Sequence, residues 1–417
     1  MNRQLFNIGF VAVLLLTATM NYAQDWTRFR GPEGKGIVHD AQINLEALKG
    51  APHLLWETYV GMGHGTLVIA DGRLYTSGNQ RVIAGADTVN EDIIYCLDAV
   101  TGDELWHYAY PCADRAWPGP RTTPTLDDGL IYNLSWEGDL FALNMVDGRV
   151  AWKLNLIDAG LSTANRWGFS GSPVVEGDVL YLNAGKSGAA LNKKTGTVIW
   201  QSEAENFGLA TPVLYDWKGQ RMGLFSGERE IHAVDIQTGK RQWSYAWKTC
   251  NDPQVIGDRV LLTGDQNRKQ SCLLQMTDGE PTMIWESRVI MDWAFQNVVI
   301  KDNHAYGFGH VRRTQPLQCF DLSTGELKWQ EDLGDYGAFV LAGDQAVILD
   351  GDGDLVIAEL SPEKYTEQAS TKVLMMAPAN DLPMNRRNFC WTEPVLHQNK
   401  IYVRGNYGNI ACVNLQP

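Results

Sequence analysis

Signatures of several common enzyme classes are missing from this chain of 417 residues. It has no phosphate-binding glycine-rich loop, no His-Glu-x-x-His zinc motif and no Gly-x-Ser-x-Gly nucleophile elbow. Its seven cysteines match no zinc-binding spacing. Basic residues are also few, since 35 lysines and arginines stand against 49 acidic residues and leave a net charge of −14. This balance argues against nucleic acids and anionic membrane surfaces as partners.

Long hydrophobic segments are missing too, except near the N-terminus. There an apolar run over residues 8–18 follows Arg3 and precedes Asn21-Tyr22-Ala23. This arrangement is typical of a cleavable secretory signal, and the run is too short for a membrane-spanning helix. We therefore predict a signal peptide over residues 1–23, no membrane insertion, and a periplasmic or secreted location.

The dominant feature that is present is a repeat. Variants of the stretch from Ile94 to Trp106 return along the chain, each with a glycine turn followed by a Trp. Their tryptophans stand 42 to 48 residues apart, at positions 106, 152, 200, 243, 285 and 329. Short apolar strands around glycine turns at this period are typical of β-propeller blades. Each Trp is expected to seal one blade against the next.

The repeat predicts an all-β fold, an eight-bladed β-propeller with four-stranded antiparallel blades. Inner strands are expected to begin near Thr66, Thr123, Ser172, Thr211, Pro253, Asn297, Phe339 and Glu393. In the last blade, three C-terminal strands would pair with one N-terminal strand around Trp56, which closes the ring and removes its open edge. A ring of seven blades is the alternative, because the unit over residues 357–374 lacks the Thr-Gly turn and the Trp.

The predicted domains follow from this count. Residues 1–23 form the signal peptide, residues 24–50 an N-terminal strap on the outside of the ring, and residues 51–417 a single β-propeller. Cys96 and Cys319 stand where other units have alanine, so we interpret them as packing residues and not as halves of a disulfide.

Segments outside the turn motif carry a family resemblance. They are Trp26 with Phe29-Arg30-Gly31-Pro32, then Gly119–Thr125, Arg166–Ser170, Asn251–Pro253 and Cys390–Pro394. With the repeats, they make nearly the whole mature chain similar to the PQQ-like repeat β-propellers, which are related in fold to the outer-membrane protein assembly lipoprotein and to quinoprotein dehydrogenases. The resemblance implies the propeller fold and suggests a pyrroloquinoline quinone (PQQ) cofactor. Because the chain has no adjacent cysteine pair like that of the quinoprotein dehydrogenases, and no convincing set of calcium ligands, we expect no cofactor and no metal.

The candidate site lies on the face of the ring that carries the long loops. Cationic residues concentrate in the entrance segments of blades 8, 1, 2 and 3, namely Arg386, Arg387, His64, Arg121 and Arg166. Guanidinium groups present paired donors that suit a carboxylate or a sulfate. The alternative interpretation is that Arg121 and Arg166 bridge neighbouring blades through backbone carbonyls.

Two histidines are candidates for proton transfer, because imidazole titrates near neutral pH. His64 stands among glycines at the entrance of blade 1, and His310 lies in a long loop of blade 6. With Arg121 and Arg166 they make up the predicted catalytic residues, although a lone histidine is more often structural. The residues expected to bind substrate are Trp117, Trp167, Trp293, Arg312, Arg313, Arg386, Arg387 and Asn388.

These residues favour an exported carbohydrate-active enzyme for acidic oligosaccharides, either uronate-containing or sulfated. Arginines would neutralise the uronate carboxylate while a histidine removes the α-proton, so the reaction would be an elimination by a lyase or dehydratase. The expected partner is an acidic oligosaccharide and the expected state a monomer. Two alternatives are a non-enzymatic propeller scaffold for protein–protein binding in the cell envelope, and a PQQ-dependent alcohol or sugar dehydrogenase.

Overall fold

The predicted eight-bladed all-β propeller is confirmed. A computed structural model describes residues 25–39, 43–48, 52–84, 87–113, 119–264, 271–289, 291, 296–309, 314–334, 337–375 and 390–415. Its strands form eight sheets of four antiparallel strands each, and one of them, in blade 7, carries an additional fifth strand. Within the described part of the chain, the one helical element is the short 3₁₀ turn Leu45–Leu48, and nothing there has the length and hydropathy needed to cross a membrane as a helix.

Blades 1 to 4 follow one another along the chain, each with its strands ordered from the channel outwards. The strands are Val68–Ala70, Arg73–Ala84, Asp87–Asp98 and Glu104–Pro111 in blade 1; Thr125–Asp127, Leu130–Leu134, Asp139–Asn144 and Val150–Asn155 in blade 2; Val174–Glu176, Val179–Leu182, Ala189–Asn192 and Val198–Gln201 in blade 3; Val213–Trp217, Gln220–Ser226, Glu230–Asp235 and Arg241–Ala246 in blade 4.

Blades 5 to 7 continue the same order and include the degenerate unit, so the alternative of seven blades is wrong. The strands are Gln254–Ile256, Arg259–Leu262, Ser271–Gln275 and Thr282–Ser287 in blade 5; Val299–Lys301, His304–Phe308, Leu317–Asp321 and Leu327–Glu331 in blade 6; Gly337–Ala342, Gln345–Asp350, Asp354–Leu360 and Tyr365–Lys372 in blade 7.

Blade 8 closes the ring as predicted. Its three inner strands are C-terminal, Val395–His397, Lys400–Arg404 and Asn409–Asn414, and its outer strand is Leu54–Tyr59. The outer strand pairs antiparallel with the last C-terminal strand. The two ends of the chain are therefore joined by main-chain hydrogen bonds, and no blade is left with an open seam.

The two faces of the ring differ in the connections they carry. We call the loop face the one where the chain enters the inner strand of each blade and where the second and third strands are joined. The turn face carries the tight turns between first and second and between third and fourth strands, such as Asp71-Gly72 and Thr101-Gly102. Each inner strand runs from the loop face to the turn face.

Repeat tryptophans join neighbouring blades near the turn face. Trp106 of blade 1 donates its indole N–H to the Met145 carbonyl of blade 2, with 3.2 Å between Nε1 and O. The Trp106 ring also lies over Gly148, where an added Cβ would come within 2.6 Å of the ring. Equivalent indole-to-carbonyl bonds join Trp56 to Ala99, Trp152 to Lys193, Trp200 to Ile236, Trp285 to Leu322 and Trp329 to Ser361.

Hydrogen bonds between blades also fix the position along the channel axis at which the inner strands begin. In five consecutive pairs, the backbone N–H at the start of one inner segment donates to the side-chain oxygen at the same place in the next blade. The donor and acceptor residues are Thr66 and Thr123, Thr123 and Ser172, Ser172 and Thr211, Thr211 and Asp252, and Asp252 and Asn297, with distances of 2.7 to 3.2 Å. We call these residues the inter-blade ring.

The cysteines of the repeat are packing residues, as interpreted from the sequence. All seven cysteines of the chain lie among the described residues and are free thiols. Cys96 and Cys319 are fully buried. Burial raises the pKa of the Cys96 thiol to about 11, which keeps it in its unreactive protonated form.

A buried arginine joins the last blade to the first. The Arg404 guanidinium donates to the carbonyl oxygens of Gly65 and Ser77, both at 2.8 Å, and to the Thr76 hydroxyl at 2.5 Å. Burial lowers the pKa of Arg404 to about 10. At Gly63 an added Cβ would lie 2.4 Å from the guanidinium. The glycine-rich sequence around His64 therefore makes room for Arg404, an explanation that the sequence alone did not suggest.

The N-terminal segment lies in the channel, so the predicted strap on the outside of the ring is wrong for residues 25–39. Trp26 pairs with Ile69 on the inner strand of blade 1, and the Leu126 N–H of blade 2 donates to the Thr27 carbonyl at 2.7 Å. The strand Ile37–Val38 adds to the inner edge of blade 7. Inner strands have one edge without a neighbour in their own sheet, and this segment satisfies part of that edge.

Residues 45–48 leave the channel on the turn face and approach the rim. The turn Leu45–Leu48 packs against the outer strand Tyr365–Lys372 of blade 7, and Leu48 is buried. Residues 1–24, which include the predicted signal peptide, lie outside the described residues.

Replacing Gly148 by alanine is expected to destabilise the protein by about 2–3 kcal/mol, because the new methyl group meets the Trp106 ring and the residue keeps φ +71°. Gly129→Ala is the matched control, since Gly129 has φ +77° but no atom within 4 Å of the added methyl group. It should cost about 1 kcal/mol. Urea unfolding measures both, and equal losses would show that the Trp106 contact contributes nothing.

Arg404→Met is expected to lower the free energy of unfolding by about 3 kcal/mol, because buried carbonyl oxygens lose their donor. The control is Arg149→Met on the turn face, where the side chain is 86% exposed and a change within about 0.5 kcal/mol is expected. A loss at Arg404 no larger than at Arg149 would contradict its role in closing the ring.

Candidate functional site

A groove on the loop face crosses the entrance segments of blades 3, 4 and 5. It has a volume of about 280 Å³ and is formed by loops of three blades. Its lining residues are Asn165, Arg166, Trp167, Asn206, Phe207, Gly208, Leu209, Glu228, Lys248 and Thr249. We call these ten residues the loop-face groove.

Asn165 shapes the first wall of the groove. Its side-chain oxygen accepts the backbone N–H of Trp167 at 2.9 Å, and its amide nitrogen donates to the Phe207 carbonyl of the next entrance segment at 3.2 Å. The chain turns at Gly168, which has φ +68° and lies against the Trp136 ring. This local turn leaves the Trp167 side chain 42% exposed on a fixed backbone.

Two stacked phenylalanines support the floor. The rings of Phe169 and Phe207 lie 3.9 Å apart and within 8° of parallel, and both residues are 1% exposed. Thr163 adds a hydrogen bond from its hydroxyl to the Asn206 side-chain oxygen at 2.9 Å. The groove is therefore built on packed side chains, and this pre-organisation lowers the cost of binding.

Charged and aromatic groups alternate along the groove. The Arg166 guanidinium lies 5.1 Å from the centre of the Trp167 ring, which is within range of a cation–π interaction. Lys248 provides a second cation and Glu228 a carboxylate. This combination suits an extended peptide with both an acidic and an apolar side chain.

Of the predicted site residues, the structure brings three together at this groove. Arg166 and Trp167 line it, and the Arg121 guanidinium of blade 2 donates to the Trp167 carbonyl of blade 3. Arg121 therefore has the bridging geometry of the structural alternative. Its bond also holds the loop that presents Trp167.

His64 lies away from the groove, at the junction of blades 8 and 1. Its Nδ1 is 3.0 Å from the Asn406 amide nitrogen, and its ring centre is 5.4 Å from that of Trp391. The Asn406 oxygen accepts the Trp391 backbone N–H at 3.2 Å, which orients the amide so that its NH₂ group donates to His64. With Nδ1 as an acceptor, the neutral ring carries its proton on Nε2.

The remaining predicted residues lie outside the described residues. They are His310, Trp117, Trp293, Arg312, Arg313, Arg386, Arg387 and Asn388.

Sequence reasoning predicted two of the ten lining residues, Arg166 and Trp167, and missed the other eight. A local signal existed for Asn165, because an Asx turn over Asn165-Arg166-Trp167 explains how the tryptophan is exposed. The remaining seven come from blades 4 and 5, and no sequence spacing indicates that they meet the segment of blade 3.

The groups in the middle of the channel decide whether a quinone cofactor fits there. The described groups there include Arg30, Asp252 and Glu393, and Arg30 Nη2 already donates to the Val298 carbonyl at 2.6 Å. Pyrroloquinoline quinone is a tricarboxylic acid, so the two protein carboxyl groups would repel it when ionised. These residues do not fit the quinone. Among the described residues, no cluster of three or more His, Cys, Asp or Glu side chains is placed to hold a metal ion.

Comparison with known proteins agrees with the propeller and corrects the predicted reaction. The family model described as "Outer membrane protein assembly factor BamB" matches residues 44–204, 90–290 and 228–417. The protein of that name from Salmonella typhimurium strain LT2 is 22% identical over 308 residues, which cover 70% of this chain and 73% of that protein.

Two solved structures share the fold. The structure of BamB from Moraxella catarrhalis aligns with a TM-score of 0.58 at 16% identity, over 88% of this chain and 98% of that one. Quinohemoprotein alcohol dehydrogenase from Comamonas testosteroni aligns with a TM-score of 0.66 at 13% identity, over 94% of this chain and 80% of that one.

The prediction of a lyase or dehydratase for acidic oligosaccharides is wrong, because these relatives are assembly factors and quinoprotein dehydrogenases and not polysaccharide lyases. Its basis was a set of arginines and histidines. Of the described members, Arg121 and His64 contact neighbouring blades, and Arg166 lines the loop-face groove. The matched residues extend from 44 to the C-terminus. The chain therefore belongs to the PQQ-like β-propeller family described as outer membrane protein assembly factor BamB.

Proposed function

We propose that this protein is a non-enzymatic scaffold of the cell envelope that binds a partner protein through the loop-face groove. Membership of a family described as an outer membrane protein assembly factor supports a role in protein assembly. The same membership supports a periplasmic location. The predicted alternative of a scaffold thus replaces the enzyme as the main interpretation.

The observation that carries the proposal is the exposure of Trp167 on a fixed loop. A tryptophan that is 42% exposed presents apolar surface to a partner, and here it does so at the edge of a groove that also holds Arg166, Leu209 and Lys248. Tryptophan and arginine are also the residues most enriched among those that dominate binding energy at protein interfaces. Trp167 and Arg166 adjoin each other at the rim of the groove.

The groove fits an extended segment with one apolar and one acidic side chain. Trp167 and Leu209 offer apolar contact, while Arg166 and Lys248 offer two cations to a carboxylate. Glu228 disfavours a partner segment with several acidic residues, since like charges repel. The charge pattern of the groove therefore selects a partner by sequence as well as by shape.

Photocrosslinking tests the location of this surface. With benzoylphenylalanine at position 167, we expect a covalent adduct to one identifiable envelope protein in intact cells. Position 146 is the matched control, because Val146 is 68% exposed on the turn face. The same adduct from both positions, or none from position 167, would contradict binding at the groove.

Charge reversal tests the contribution of the two cations. The double variant Arg166→Glu/Lys248→Glu should weaken binding of the crosslinked partner about tenfold, equivalent to about 1.4 kcal/mol. The variant Arg149→Glu/Lys240→Glu makes the same change in net charge on the turn face and should leave the dissociation constant unchanged. Equal weakening in both variants would assign the effect to net charge and not to the groove.

A further inference from the structure

Residues 25–39, which we call the plug, form a self-contained unit inside the channel. Internal hydrogen bonds join the Gly31 N–H to the Arg28 carbonyl at 3.1 Å, the Gly34 N–H to the Gly31 carbonyl at 2.9 Å and the Gly36 N–H to the Arg30 carbonyl at 2.9 Å. Gly31 also packs on the Trp26 ring. The segment therefore keeps a compact shape through its own contacts.

The plug spans the channel from one side to the other. Besides its bonds to blades 1 and 2, it accepts hydrogen bonds from blade 7 at both ends of its short strand, from the Leu341 N–H to the Gly36 carbonyl at 2.8 Å and from the Gly343 N–H to the Val38 carbonyl at 3.0 Å. Trp26 is 1% exposed. The segment therefore lies against the inner strands of blades 1, 2 and 7.

Arg30 lies at the centre of the plug, 2% exposed. Its guanidinium donates to the Lys35 carbonyl at 3.0 Å and to Val298 of blade 6. Its Nε lies 3.8 Å from the Glu393 carboxylate of blade 8, and Asp252 of blade 5 also acts on its charge. One residue of the plug is thus connected to three blades.

Both ends of the plug leave the channel at the same face. Asp25 lies near His397 and Asp71, which belong to the turn-face ends of blades 8 and 1. At the other end, Val38 bonds to Gly343 in a turn of the turn face. A segment inserted in this way passes in and out without any blade separating from its neighbour.

We propose that the plug is a detachable closure of the channel, which leaves and re-enters through the turn-face end as one unit while the ring stays intact. Arg30 is its latch, hydrogen-bonded to the Val298 carbonyl and buried beside the carboxyl groups of Asp252 and Glu393. This device is separate from the loop-face groove and does not depend on the proposed function.

The charged groups around the latch determine whether the plug opens more readily at high or at low pH. Burial raises the pKa of Glu393 to about 7 and that of Asp252 to about 6, against the opposing attraction of Arg30. Arg28 of the plug also acts on Asp252. Groups with raised pKa values in the seated state bind protons more tightly there, so the seated state is favoured at low pH and loses this advantage as pH rises through about 6 to 7.

Other charged groups lie on the plug or beside it. Arg28 also faces Glu176 of blade 3, which is bonded by Arg221. At the surface, Glu33 pairs with Lys35 and His39. These pairs are exposed or already satisfied, so the main pH dependence between 6 and 8 is assigned to Glu393.

Hydrogen–deuterium exchange of the full-length protein tests the proposal. After correction for intrinsic rates, the amides of residues 26–38 and those of Ile69, Leu126 and Leu341 should exchange together, faster than Leu273 in blade 5. Between pH 6 and pH 8 their opening equilibrium should rise about twentyfold, about tenfold from Glu393 and about twofold from Asp252. In Glu393→Gln this rise should fall to about twofold, the contribution of Asp252.

Trp26→Ala is the control for packing. It should speed exchange of the same amides at both pH values and leave the ratio between them unchanged, because no titrating group is altered. Exchange of the plug amides at the rate of Leu273 under all conditions would show that the plug opens only when the whole ring unfolds, and would overturn the proposal. A twentyfold rise retained in Glu393→Gln would overturn the assignment of the pH dependence to Glu393.

Discussion

Ring closure depends on each inner strand beginning at the same height as its neighbour, and the inter-blade ring imposes this condition. A backbone N–H of one blade donates to a hydroxyl or carboxyl oxygen of the next, so a vertical slip of one blade breaks two bonds. The repeat tryptophans join the blades near the outer rim of the ring, because each indole N–H donates to a carbonyl oxygen of the next blade. At the junction of blades 8 and 1, the Arg404 guanidinium donates to the carbonyl oxygens of Gly65 and Ser77 and to the Thr76 hydroxyl.

A rigid ring allows its loops to depart from the repeat, and the loop-face groove is such a departure. Two of its residues tie the loops to the ring, Asn165 through its hydrogen bond to the Phe207 carbonyl and Phe207 through its stack on Phe169. A groove held in this way presents Trp167 without ordering costs at binding. A scaffold that recruits a partner needs this property, and it needs no group with altered reactivity.

The sequence predicted the blades because their determinants are local. A glycine turn and a Trp within one unit define its strands, and the same unit recurs, so the count of eight and the closure at Trp56 follow. The plug was misplaced because its bonds go mostly to backbone groups of distant blades, which leave no side-chain pattern. The contact of His64 with Asn406 could not be predicted, because Asn406 stands at the other end of the chain.

The central claim is that a partner protein covers the groove formed by the entrance segments of blades 3, 4 and 5. The most direct measurement is the amide-exchange footprint of the protein purified together with its envelope partner, compared with the protein alone. The account predicts slower exchange within residues 163–169, 204–209 and 248–249 and no change in the turns of the turn face. Slower exchange confined to the turn face or to the outer strands, with these three segments unchanged, would contradict it.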